Sequence, residues 1–325
     1  MPDSQNMAAF LDRMQEQIIE GCRLGQNIKL QGPFENIIFC GMGGSALGGR
    51  ILKSYIGNKI PVFVVDDYKL PDFVNEKSLV FAVSYSGYTE ETIEALKEAL
   101  KRKLNIVVVS HGGKMLQAAE ENSLPLIKLP EAIQPRMSYG YQVFSILKVL
   151  ENCSILEKQP GLAENIAVFI GKEKEGIKNK AKGISKKLLN KIPLIYSSKS
   201  LEAAAYKWKK NFNENAKIMA FTNTFPEHNH NELNGFARPN GNFHAIFIRD
   251  REDHPKIRKR MEAAKKIAEE NGIESSLVDT EGSNLLERII STIYLGDWAS
   301  YYLALDYGVD PTPVEIVEKF KKMLG

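Results

Sequence analysis

The chain has 325 residues, 43% of them apolar and 26% charged, a balance that builds globular cores and, at this length, two domains of ordinary size. Lys and Arg number 43 against 40 Asp and Glu with the signs interspersed, which excludes the clustered basic face of a nucleic-acid binder. Cys22, Cys40 and Cys153 lie far apart with no CxxC pair, the N-terminus has no signal-peptide order and no apolar run spans a bilayer, so the expectation is a cytoplasmic protein with neither a disulfide framework nor a membrane partner.

In chain order, helical spacing covers Ala8 to Leu24, and then a strand–helix rhythm begins. Asn36–Cys40, Pro61–Val65, Ser78–Val83, Asn105–Ser110 and Leu126–Leu129 read as strands. Helices are expected over Ala46–Tyr55, Thr89–Lys101 and Gln142–Leu150. The lysine-rich stretch 172–190 reads as a surface helix connecting to a second half. There the strands are Pro193–Ser197, Ile218–Thr222, Phe243–Ile248 and Ser276–Asp279. Helices follow at Leu201–Asn211, Pro255–Asn271, Leu285–Tyr307 and Pro313–Met323. Strands apolar on both faces and alternating with helices predict an α/β fold of two similar doubly wound units, with mainly parallel sheets flanked by helices, over residues 1–152 and 153–325.

Two loops in the first half suit an anion. Gly41-Met42-Gly43-Gly44-Ser45-Ala46 joins a strand to a helix, where glycines let the backbone approach a ligand and the helix N-terminus offers free N–H groups. With Asp66 and Asp67 at the end of the next strand, the same loop also fits a dinucleotide fingerprint, so a nicotinamide-dependent oxidoreductase is a rival reading. The second loop, Ser84-Tyr85-Ser86-Gly87-Tyr88-Thr89, brings three hydroxyls to one helix N-terminus. One of them, Thr89, is the natural N-cap, but three exceed what a cap needs and suit a phosphate monoester. Together these loops resemble the sugar isomerase (SIS) domain. That resemblance implies Ser45, Ser84, Ser86 and Thr89 as phosphate ligands.

Three further segments carry polar chemistry. Gln134-Pro135-Arg136 holds an arginine on a stiff segment, although a surface arginine is the ordinary reading. Asn211-Phe212-Asn213-Glu214-Asn215-Ala216-Lys217 sets a glutamate at a helix-to-strand turn, where such residues are usually solvated. Pro226-Glu227-His228-Asn229-His230-Asn231-Glu232 has metal-ligand side chains but not the spacing of a known zinc motif. His111, His244 and His254 stand alone and read as structural or exposed.

With the C-terminal Asp310-Pro311-Thr312-Pro313 and Lys319, these segments resemble the archaeal-type bifunctional phosphoglucose/phosphomannose isomerases along nearly the whole chain. The resemblance implies that Glu214 is the base moving a proton between C1 and C2. It implies that His230 assists ring opening, reaching the site from the neighbouring subunit of a homodimer whose active sites lie at the subunit interface. Arg136, with the backbone near Gly44, would stabilise a cis-enediolate; Thr312 would leave room for both epimers, and Lys319 would reach the ring-oxygen side. Thr312 before Pro313 reads equally well as a helix N-cap, and Lys319 as an exposed helix lysine.

Aldose–ketose interconversion needs a base near a C–H bond and a fixed cation near the enediolate oxygens, and no cofactor or metal. The resemblance implies interconversion of glucose 6-phosphate and mannose 6-phosphate with fructose 6-phosphate, at the sugar-phosphate steps of glycolysis and gluconeogenesis. The alternatives are an aminosugar-phosphate isomerase and a non-catalytic sugar-phosphate-binding protein.

Overall fold

The computed structural model describes residues 2–131 and 134–324. Two compact units emerge, residues 12–171 and residues 172–325 with 1–11. At the N-terminus, α1 (Met7–Asp12) and α2 (Met14–Leu24) break at Arg13, where one continuous helix was expected. Residues 1–11 are tied to the second unit by the Tyr301 hydroxyl, which donates to Asp3 at 3.1 Å.

The unit of residues 12–171 is built on β1 (Asn36–Cys40), β2 (Val62–Val65), β3 (Ser78–Val83), β4 (Asn105–Ser110) and β5 (Leu126–Lys128), all parallel, in the order β2-β1-β3-β4-β5. Between and after the strands run α3 (Leu47–Ile56), α4 (Glu90–Lys101), α5 (Gly113–Glu121) and α6 (Tyr139–Asn152). Strand periodicity puts Ile38, Val80 and Val108 on one face, against Ala95, Leu96 and Met115 of α4 and α5. The other face carries Phe39 and Phe81, whose rings stack at 5.2 Å. Covered on both faces, the central strand β3 is buried throughout, as an all-parallel sheet requires. Helix α5 was not foreseen, because its short turn-like start at Gly112-Gly113 masks a weak apolar stripe of Met115 and Ala119.

Helix α7 (Leu162–Leu188) begins ten residues before the expected connector and buries Ile166, Ile170, Ile177 and Ala181, so it is a packing element rather than a surface link. The second unit then repeats the plan with β6 (Ile192–Ser198), α8 (Glu202–Glu214), β7 (Phe221–Phe225), β8 (Phe243–Arg249), α9 (Pro255–Glu270), β9 (Glu274–Asp279), α10 (Leu285–Asp306) and α11 (Glu315–Leu324). Its four parallel strands run β7-β6-β8-β9. Among the described residues no helix is long and apolar enough to cross a membrane.

In the second unit, three of the departures from expected boundaries have clear physical causes. Helix α8 continues past Asn211 to Glu214, because Asn211 and Asn215 find buried partners on α10. Strand β7 starts three residues late, because Ile218 spends its N–H on the Phe212 carbonyl while Lys217 turns through the left-handed region at φ +60. Helix α11 starts at Glu315 rather than Pro313: the Thr312 N–H is taken by Asp310 Oδ1 at 3.0 Å, and Glu318 N–H returns to Val314. Thr312 is therefore not the helix N-cap that its sequence context allowed.

Candidate active site

In a doubly wound sheet the strand order reverses at one place, and the loops leaving the two strands there diverge to open a crevice at their carboxyl ends. In the first unit that place lies between β1 and β3, paired with Cys40 opposite Ala82. Both candidate phosphate loops leave from these two strands. Ser45 of the first loop accepts the Tyr85 N–H of the second at 3.0 Å, which ties the loops together.

Within the second loop the Ser84 hydroxyl donates to Thr89 Oγ1 at 2.8 Å and accepts the Gly87 N–H at 3.1 Å. Gly87 has φ +75, and a Cβ there would overlap the Gly112 carbonyl, so only glycine allows this turn. Thr89 holds the N-cap position of α4, yet its side chain makes no capping hydrogen bond. The expected capping by its hydroxyl is thus not found, and the hydroxyl stays in the crevice with Ser84. Ser86 is exposed, Thr89 half-buried, and Ser45 and Ser84 buried, a graded rim that can meet an anion with hydroxyls and helix N–H groups.

Arg136 joins this group. Pro135–Met137 forms a short 3-10 turn before α6, and Arg136 is only 3% exposed, unlike a surface arginine. A Cβ on Gly44 would come within 2.7 Å of the Arg136 backbone nitrogen, so the first loop and the arginine segment lie backbone to backbone. The structure thereby brings together Gly44, Ser45, Ser84, Ser86, Thr89 and Arg136 in one unit.

The second unit holds the other candidates. Glu214 is the last residue of α8 and half-buried. The Lys217 ammonium donates to the carbonyl of Glu214 at 2.5 Å and to that of Pro313 at 2.6 Å, so it ties the end of α8 to the segment bearing buried Thr312. His230 lies elsewhere. Glu214 precedes β7, at the edge where the strands begin, and His230 ends the 3-10 turn Glu227–His230 that follows β7. That strand alone spans about 13 Å. His230 is exposed, as is Lys319 on α11.

The residues around His230 do not form a metal cluster. His228 is fully buried among Tyr196, Phe225 and Phe236, and burial lowers its pKa to about 4 against the opposing pull of Glu232. The Glu232 carboxylate is held by the Tyr196 hydroxyl at 2.8 Å and Asn223 at 2.6 Å, and Glu227 by Asn231. Among the described residues no three His, Cys, Asp or Glu side chains group to hold a metal. Of the two carboxylates after β2, Asp66 pairs with Arg50 at 2.6 Å and Asp67 accepts the Tyr68 N–H. Of the isolated histidines, His244 is buried against Ser276, His111 bonds the Leu129 carbonyl, and His254 caps α9.

At the corresponding reversal point of the second sheet, between β6 and β8, the polar side chains pair with one another. Ser200 donates to Asp253 at 3.3 Å, and Ser198 lies 2.9 Å from Ser200. Asp250 beside them pairs with the buried Arg288 at 2.7 Å. Asp250 and Asp253 give that point carboxylates, whereas the first reversal point is lined by hydroxyls and helix N–H groups, the better match to an anion. Sequence reasoning passed over the buried Lys207–Asn211–Asp297 network one turn before Glu214; its signal is three polar residues at spacing four on an otherwise apolar helix face.

Comparison with known proteins covers both units. Residues 34–150 match the model of the SIS domain, and residues 177–324 that of the Bacterial phospho-glucose isomerase C-terminal SIS domain. The bifunctional phosphoglucose/phosphomannose isomerase of Aquifex aeolicus (strain VF5) is 34% identical over 90% of this chain and 91% of its own. Its counterpart from Caldicellulosiruptor bescii is 36% identical over 95% of this chain and 96% of its own. A hypothetical protein of Thermus thermophilus shares the fold, with a TM-score of 0.75 at 16% identity, covering 99% of this chain and 92% of that one.

Proposed function

The chain belongs to the bifunctional phosphoglucose/phosphomannose isomerases, and from that premise we propose that it interconverts glucose 6-phosphate and mannose 6-phosphate with fructose 6-phosphate through a cis-enediolate. The observation that carries the reading is the hydroxyl-lined crevice at the reversal point of the first sheet, where Thr89 holds an N-cap position without capping.

In this reading Ser45, Ser84, Ser86 and Thr89 hold the phosphate, and that remote binding energy orients the reacting carbons. Glu214 removes the proton from C2 of the aldose and returns it to C1. Arg136, rigid beside Gly44 and always charged, stabilises the enediolate oxygens. His230 transfers a proton at the ring oxygen during opening, a task suited to an imidazole, which can both give and accept a proton. Thr312 leaves room for either configuration at C2, and Lys319 lies on the ring-oxygen side.

Glu214 and His230 stand at opposite edges of the second sheet, which supports a homodimer in which His230 serves the neighbouring subunit's site. The free cysteines Cys22, Cys40 and Cys153 agree with work in the cytoplasm, at the sugar-phosphate steps of glycolysis and gluconeogenesis.

The test is a coupled assay of fructose 6-phosphate formation from each aldose phosphate in EDTA. Turnover of both substrates is expected. Turnover of neither by folded protein rejects the isomerase and favours an aminosugar-phosphate enzyme or a binding protein.

A further inference from the structure

Helix α8 buries polar side chains on the face it turns to α10. Lys207, Asn211 and Asn215 recur every four residues, and Glu214 falls seven after Lys207, so all four lie on one stripe. The Lys207 ammonium lies 3.2 Å from Asp297 Oδ1 and donates to Asn211 Oδ1 at 2.6 Å. Asn211 donates to the same Asp297 oxygen at 2.5 Å, and Asn215 donates to Ser300 Oγ at 2.9 Å. Lys207 and Asp297 are each 2% exposed, and Trp208, Phe212, Ile293 and Leu303 of the same two helices are buried with them.

A buried ion pair of this kind adds little stability over apolar packing of the same volume, because desolvation consumes most of the attraction. What it adds is direction. Apolar ridges tolerate small rotations and slides, whereas these hydrogen bonds close at one rotation and one axial setting of α8 against α10. Glu214 lies between Asn211 and Asn215 at the end of the helix, and its carboxylate moves with any such rotation.

We propose that Lys207, Asn211 and Asp297 are positioning residues for Glu214: their network locks α8 on α10 and so aims the base at the substrate C–H bond. The inference rests on Glu214 being the base. Misplacing a reacting group by about 1 Å costs on the order of a hundredfold in rate, so a small slip of α8 is enough to matter.

The test is the double variant Lys207→Met/Asp297→Leu, which replaces the pair with apolar groups instead of stranding one charge. Because Asn211 loses both side-chain partners, its thermal midpoint should fall by a few degrees; its KM for glucose 6-phosphate should be unchanged, and its kcat should fall tenfold or more. Measured well below that midpoint on protein shown to be folded, a loss of kcat without a change in KM reports a misaimed base rather than lost enzyme. A folded double variant with parental kcat overturns the proposal. Should that variant fail to fold, Asn211→Leu decides: a several-fold fall in kcat at constant KM supports the proposal, and an unchanged kcat overturns it. An inactive parent protein, or a fully active Glu214→Gln, is a different failure, since it removes the base itself and with it the functional reading.

Discussion

Gly44 and Arg136, distant in sequence, meet backbone to backbone: a Cβ on Gly44 would lie 2.7 Å from the Arg136 nitrogen and 2.8 Å from its Cα. Neither group can retreat cheaply, because the obstacle is main chain and Arg136 is buried. Gly44→Ala should therefore displace the Pro135–Met137 turn and the guanidinium it carries. Expected is a folded enzyme with kcat lowered roughly a hundredfold, the scale of losing one oxyanion-stabilising contact. Parental kcat in a soluble Gly44→Ala protein would remove Arg136 from the enediolate role.

Thr89 offers a cleaner separation of binding from folding. Losing an N-cap hydrogen bond ordinarily costs about 1 kcal/mol. Thr89 makes no such bond, so Thr89→Val forfeits only the hydrogen bond from the Ser84 hydroxyl and should lower the thermal midpoint by a few degrees at most. It should raise KM for both aldose phosphates about tenfold, equivalent to about 1.4 kcal/mol of lost binding. Inhibition by inorganic phosphate should weaken in parallel, and an unchanged inhibition constant would move the phosphate elsewhere.

Glu214 and His230 give a test of subunit sharing. Each of Glu214→Gln and His230→Ala should lose about a hundredfold to ten-thousandfold in kcat, the range for a general acid–base group. If His230 serves the neighbour, remixing the two inactive variants forms mixed dimers with one complete site. Equal subunit exchange then restores up to about a quarter of the parental activity. No recovery, with exchange verified by mass, places both residues in one chain's site.

Two buried histidines predict acid sensitivity. Burial holds both His228 and His244 at about 4, below the ordinary 6.5; His228 faces Glu232, and His244 faces Lys191, Glu274 and Lys187. Between those values the unfolded chain takes up protons that the folded chain refuses, so stability falls as pH drops from 6.5 towards 4. Each ring contributes up to about 3 kcal/mol to that loss. His228→Leu should flatten the decline in urea midpoint between pH 6.5 and 4.5 by roughly half. An undiminished slope would assign the acid sensitivity to other groups.

Much of the first unit was legible in sequence because its signals are local. The strands Asn36–Cys40, Ser78–Val83 and Asn105–Ser110 have the predicted bounds, since an unbroken apolar run bounded by turn residues has few other stable solutions. The second unit was less legible where tertiary partners override propensity. Asn211 and Asn215 look like helix breakers until Asp297 and Ser300 satisfy them, and Glu214 thereby becomes the last helical residue rather than a turn residue.

By itself the sequence determined the α/β class and the two hydroxyl- and glycine-rich loops, and it nominated the candidate polar residues, because periodicity and side-chain type are written in the chain. Only the tertiary structure decided which loops share a crevice, that Thr89 keeps its hydroxyl from capping, that Gly44 abuts Arg136, and that Glu214 and His230 stand at opposite edges of one sheet. Those relations depend on strand order and on contacts between residues far apart in sequence, which no local pattern of side chains encodes.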